Sequence, residues 1–319
     1  MTKNISRREF LKSSLLMGGA LAVGPLYQET KKAVPDYVSH KVSAPIPYSG
    51  QDPASPFQVV MREDDNLFYY EITGTHNNPF DEYYQGHGLT CALGATTIVL
   101  ESLYRGVLTQ GDIEDTLLEY VTPSAGMPSL GNPDIAFRGD PDGGWGDISD
   151  YGINAMPVQN AAIRFLQEHP LPEGVSPITA EAHYDYAFRD FSLNQITQEE
   201  MDARIAVQSN RVADNIRNGY PTSLWQSLMG PPGMVRWINS AGEMSFQPRD
   251  PSWGVIIDRM HCELVIGVTT RKEDGGLNSF LQRSSAGGGD DGSPLVSVQP
   301  HPLGWKELDL MTLTFHPRE

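Results

Sequence analysis

The sequence predicts an α+β fold, with helical segments gathered ahead of a strand-rich second half. Apolar residues recur at helical spacing in several segments between residues 91 and 218. From residue 220 the pattern changes to short runs rich in branched and aromatic residues. Helices followed by strands, without regular alternation, argue against a parallel, doubly wound sheet.

The N-terminus stands apart from this domain. "SRREFLKSSLLMGGALAVG" places Arg7 and Arg8 ahead of Phe10, Leu11 and Lys12, then an apolar stretch from Leu15 to Val23. A paired-arginine n-region before a short h-region reads as a twin-arginine signal over residues 1–27. The apolar stretch is short for a bilayer span, and the small residues at 20–22 offer a cleavage site. The expected destination is therefore outside the cytoplasm: periplasmic, cell-surface or extracellular. Contact with a membrane is expected only through an uncleaved signal segment. Residues 28–55 are polar and proline-rich, a linker or extended arm with room to act as a propeptide, and 56–319 form the folded domain.

The elements follow in order. "FQVVMREDDNLFYYEIT" reads as two strands around an Asp-Asp turn. Between Cys91 and Arg105, Leu93, Ile98, Leu100, Leu103 and Tyr104 fit a buried helix of about four turns. A second helix lies near "TQGDIEDTLLEYV", capped by Thr109 or Asp112. A long loop over residues 122–152 precedes a helix at "MPVQNAAIRFLQEH". Residues 195–218 are helical, with Gly219 as the stop. "YPTSLWQSL", "MHCELVIGVTT", "PLVSVQP" and "LDLMTLTFHP" read as strands, with a Gly/Ser/Asp loop, "RSSAGGGDDGSP", among them.

Composition excludes several functions. With 23 Lys+Arg against 40 Asp+Glu, the net charge of −17 repels phosphate backbones, so nucleic acid is not an expected partner. No HExxH, paired CxxC, GxGxxG or Walker-type loop is present, so neither zinc nor nucleotide chemistry is indicated, and no cofactor is expected. "GDPDGGWGDISD" gathers Asp140, Asp142, Asp147 and Asp150 around glycines, but without EF-hand spacing; a loop shaping a cleft competes with a calcium site.

The chemistry centres on Cys91, one of 2 cysteines. A thiolate is the nucleophilic form of cysteine, and a helix N-terminus favours it. Gln85, six positions upstream across a Gly-His-Gly segment, can donate an amide N–H to an oxyanion formed at the thiol. His87 competes as a base but lies too close in sequence to swing over the sulfur. His76 and His183 read as loop surface residues. Trp145 and Gly88 are candidate substrate-contacting positions. In an oxidising compartment a Cys91–Cys262 disulfide is the competing reading.

A glutamine six residues before a helix-opening cysteine resembles the papain-like cysteine peptidases, and more specifically the bacterial branch related to double-glycine leader peptidases. The resemblance is carried by "CALGATTIVL", "NPDIAFRGDPDGGWGDISDYGINAMP" at 132–157, "NGYPTSLW" and "HCELVIGV", and covers residues 80 to 312. It implies a papain-like fold, in which a helical N-terminal lobe carrying the cysteine helix packs on a C-terminal antiparallel sheet carrying the histidine. It implies cleavage of an amide bond in a peptide or protein, with His261 as the base. The orienting residue of the family is Asp or Asn; the matching segment here, "VSVQPHPLG", offers Gln299, or His301 in another alignment. Ala92 also departs from the family, which often has an acidic residue or glycine there. These departures leave open a weakened or inactive peptide-binding protein on the same fold. If His261 faces Cys91, strand alternation turns Cys262 away, into packing.

Overall fold

The apolar run after Cys91 becomes helix α1 (Cys91–Tyr104), and every residue from Ala92 on is buried. A helix buried on all faces belongs at the centre of a domain rather than on its surface. The computed structural model describes residues 42–81, 86–87, 90–122, 135–137, 152–185, 187–192, 194–227, 234–238, 244–248, 260–283, 296–300 and 310–318; at several, His261 and Gln299 among them, it describes the backbone.

Four more helices are described. In α2 (Gln110–Val121) Thr109 caps the N-terminus and Asp112 closes a reciprocal capping box, so both expected cap residues are used. The others are α3 (Ala155–Glu168), the short α4 (Ala187–Ser192) and α5 (Gln198–Arg217), which opens on a Thr197–Glu200 capping box. Gly219 follows α5 with φ of +80°, the left-handed stop expected from its sequence.

The strands are β1 (Ile46–Pro47), β2 (Phe57–Glu63), β3 (Leu67–Thr75), β4 (Ile178–Asp185), β5 (Thr222–Ser227), β6 (Met234–Ile238), β7 (Met244–Pro248), β8 (Met260–Arg271), β9 (Leu277–Arg283), β10 (Val296–Pro300) and β11 (Leu310–Pro317). Nine form one sheet and β6–β7 form a separate hairpin. All described pairings are antiparallel. The architecture is thus α+β, as the sequence predicts. β2 and β3 precede all five helices, as "FQVVMREDDNLFYYEIT" predicts, but the order is less segregated than expected because β4 lies between α3 and α4.

β8 organises the sheet. Its first half, Met260–Val265, pairs with β5, and its second half, Gly267–Arg271, pairs with β3. β9 overlaps both pairings from Leu264 to Thr270, so it takes the opposite edge. A register shift between Val265 and Gly267 lets the strand bend there.

Helices cover both faces of the far side of this sheet. On one face the Ala182 N–H donates to Gln159 of α3 at 2.6 Å, and the Met156 N–H donates to the Tyr184 hydroxyl at 2.6 Å. On the other, Arg211 and Asn215 of α5 donate to Thr312 and Thr314 of β11. A continuous core runs through these layers, with Trp225, Tyr104, Phe165, Phe280 and Phe315 among its largest fully buried side chains.

The extended arm expected over residues 28–55 is bonded into the domain from Ser43 onward. The Ser55 hydroxyl donates to Gly219 O at 2.7 Å, the Tyr220 hydroxyl donates to Asp52, and β1 pairs with β2. Among the described residues no helix is long and apolar enough to cross a membrane.

Candidate active site

Cys91 is the first residue of α1, where unpaired backbone N–H groups and the macrodipole present positive potential. It is half-buried, while the residues behind it in the helix are buried. Its Sγ accepts a hydrogen bond from the Cys262 backbone N–H at 3.3 Å. That nitrogen belongs to the peptide joining His261 to Cys262, so folding brings the helix mouth against the backbone of the histidine strand. At this point, Met260–Glu263, β8 pairs with β5 alone among the described strands, and His261 stands opposite Gln226 in the register. The His261 side chain lies outside the described residues.

No disulfide joins Cys91 to Cys262. Cys262 is wholly buried, in line with its expected turn into packing, and burial foremost, with Cys91 and Glu263 adding to it, pushes its thiol well above the ordinary range. Cys262 stands opposite Trp225, whose indole N–H donates to Ile153 O at 2.9 Å, one residue before the Asn154 cap of α3. Parts of the four segments that carry the family resemblance, "CALGATTIVL", "DYGINAMP", "NGYPTSLW" and "HCELVIGV", therefore meet around one point.

The approach to Cys91 is fixed by a residue with no functional signature in the sequence. Glu114 of α2 is buried. Its Oε1 lies 2.5 Å from the Thr90 hydroxyl and its Oε2 accepts from the Gly86 N–H at 2.6 Å. These two donors bracket the segment between Gln85 and Cys91. In the sequence Glu114 reads as one of several acidic residues on an amphipathic helix; the only hint is that it follows Ile113 on the apolar stripe. The Thr90 carbonyl meanwhile accepts from Gly94 N–H at 2.9 Å, the first hydrogen bond of α1. His87 turns toward α2, with its Nε2 3.2 Å from Asp115 Oδ1.

Gln299 is placed by its backbone. It stands on β10 opposite Phe280 of β9, which in turn stands opposite Val268, seven residues along β8 from His261. Pro300 pairs further along in the same direction. The His261 half of β8 pairs along its length with β5, and β9 reaches it only at its end, where Arg283 stands opposite Leu264. β9 has little signature in the sequence, because "LNSFLQR" carries only a short alternation.

Gln85, Gly88, Trp145 and His301, and the loop bearing Asp140, Asp142, Asp147 and Asp150, lie outside the described residues. Among the described residues no group of three or more metal-ligating side chains converges. His183, expected in a surface loop, belongs to β4, where its ring is partly buried beneath α5. Comparison with protein-family models, with curated proteins and with solved structures finds no match for this chain.

Proposed function

We propose that this chain is an exported thiol hydrolase of papain-like fold, similar to the double-glycine peptidase branch, which cleaves an amide bond in a peptide or protein. One observation carries the reading: the Cys91 sulfur, at the mouth of a buried helix, meets the peptide N–H that immediately follows His261. A helix N-terminus and an N–H aimed at sulfur both favour the thiolate over the thiol. In this reading Cys91 attacks the scissile carbonyl, and His261 takes the thiol proton and returns it to the leaving amine. Gln85 and the Cys91 backbone N–H hold the oxyanion. Trp145 and Gly88 line the substrate cleft. The twin-arginine sequence at Arg7 and Arg8 supports delivery in the folded state.

A second reading rests on Gln299. Its register leaves it seven residues from His261 along β8, so an imidazole held by another residue, or by none, would give a peptide-binding protein with little or no turnover. One experiment separates the two. Full-length protein and the variants Cys91→Ala and His261→Ala are incubated with a diverse peptide library and the products read by mass spectrometry. Cleavage by the wild type, reduced about 1000-fold or more in both variants, supports the hydrolase. Tight binding without cleavage supports the second reading.

A further inference from the structure

We propose that Cys91 and the backbone nitrogen of Cys262 form a reversible oxidative modification site, at which the oxidised Cys91 sulfur bonds to that nitrogen as a sulfenamide. The cross-link would join the helix mouth to β8, between residues 171 positions apart in the chain.

The geometry around the sulfur suits this bond. Cys91 opens α1, where the helix N-terminus favours the thiolate, and its half-buried position leaves a path for a small oxidant. The Cys262 N–H already donates to that sulfur across 3.3 Å. The sulfur thus stands on the hydrogen side of the nitrogen, where a bond replacing N–H leaves the peptide planar. β5 lines one edge of β8 at this point, and β9 covers the other only from Leu264 onward. The Cys262 N–H therefore reaches Cys91 across the edge that β9 leaves, and turning it into N–S removes no rung between β5 and β8.

A disulfide with Cys262 is the competing fate of an oxidised Cys91, and the structure disfavours it. The Cys262 side chain is wholly buried, and burial above all holds its thiol well above the ordinary range. Attack on an oxidised sulfur needs a thiolate, and this one would also have to leave the core. The backbone nitrogen needs neither change.

Hydrogen peroxide supplies the oxidising equivalents. The Cys91 thiolate attacks one peroxide oxygen, the O–O bond breaks, and the other oxygen takes a proton and leaves as water. Sulfur, oxidised by two electrons, becomes sulfenic acid. The Cys262 nitrogen then attacks sulfur: the S–N bond forms, the S–O bond breaks, and the N–H proton leaves with the hydroxyl as water. A thiol reverses the modification by attacking sulfur, which returns the proton to nitrogen; a second thiol then releases Cys91 from the mixed disulfide. On the hydrolase reading, the closed form cannot attack a carbonyl and is protected from irreversible oxidation to sulfinic acid. The cross-link itself rests on geometry and needs no turnover.

The test uses the folded full-length chain. It is treated with limiting hydrogen peroxide, quenched with catalase, denatured without reductant, alkylated with iodoacetamide and read by intact mass and peptide mapping. Before alkylation the mass should fall by about 2 Da, with the Cys91 and Cys262 peptides joined and one alkyl group then taken up, on Cys262. Dithiothreitol should restore the original mass and allow both cysteines to be alkylated. Cys262→Ala keeps the nitrogen without the second sulfur and should form the same cross-link. A cross-linked product that takes up no alkyl group, or that is lost in Cys262→Ala, is a disulfide and would overturn the proposal. Sulfenic or sulfinic acid accumulating on Cys91 without a cross-link would do the same. Peptide cleavage plays no part in the readout, so this result and that of the hydrolase experiment stand or fall separately.

Discussion

The Sγ of Cys91 lies 3.3 Å from the backbone nitrogen of Cys262, although 171 positions separate them in the chain. The two sulfurs sit in contrasting surroundings: one at a helix mouth and half-buried, the other sealed in the core. Iodoacetamide should therefore add one group to the native protein, at Cys91, and two to the denatured protein. Intact mass and peptide mapping read the result. Faster labelling of Cys91 than of an unfolded control would indicate a stabilised thiolate; equal labelling of both cysteines in native protein would contradict the burial of Cys262.

Glu114 ties the segment ahead of Cys91 to α2 through the Gly86 N–H and the Thr90 hydroxyl. Glu114→Gln keeps the volume but turns an amide donor toward one of these two donors. The expected loss is about 1–3 kcal/mol of stability, because a buried donor is left unpaired. Denaturant unfolding measures this, and hydrogen exchange at the Gly86 amide should speed up in the same variant.

Gly267 sits where β8 shifts register between its neighbours, and a Cβ there would lie 2.8 Å from Tyr70 O and 3.2 Å from Leu281 Cβ. The nearer atom is backbone and cannot rotate away. Gly267→Ala should destabilise the protein by about 1–3 kcal/mol, as overpacking in a core does. Urea midpoints of the purified variant and wild type test it.

Tyr220 gives a dependence on alkaline pH. Burial first, then its hydrogen bond to Asp52, pushes the phenol from the ordinary 10.0 to about 12. Because the folded value lies above the unfolded one, its stabilising contribution is complete below pH 10 and is lost as pH rises toward 12. The Asp52 carboxyl moves the other way, held below its ordinary value chiefly by the Tyr220 hydroxyl, so its contribution is lost on the acid side. Tyr220→Phe should lower stability at neutral pH by about 1 kcal/mol, the small value reflecting a partly exposed pair. It should also flatten part of the alkaline decline. Tyr104 and Tyr120, each raised to about 12 with burial as the largest cause, should keep a share of the decline. Unfolding free energies across the pH range measure both effects.

Local signals served the sequence reading well. The capping residues Thr109 and Asp112, the stop at Gly219, and the helices around residues 91, 110, 156 and 198 depend on neighbours within a turn or two, and they are where the sequence put them. Strand pairing does not depend on neighbours. Nothing adjacent to Tyr70 shows that it will stand opposite Val268, or that β5, rather than β9 or β10, runs beside His261. Glu114 was missed for a related reason: its burial comes from Gly86 and Thr90, which are 28 and 24 residues away. Arg211 was likewise hidden, since an arginine on a long polar helix looks solvated until the sheet beneath it is known.

The position of β11 bears on how this chain reaches its native state. β11 is wedged between β4 and β5, bonding to both, although β4 is made about 130 residues before it. A ribosome-bound chain that has not yet emitted residues 310–317 lacks the penultimate strand of its sheet, which leaves one edge of β5 unpaired and β4 without its sheet partner. Closure of the sheet therefore waits until residues 310–317 have been made, and until then the open edges are available for pairing with other chains.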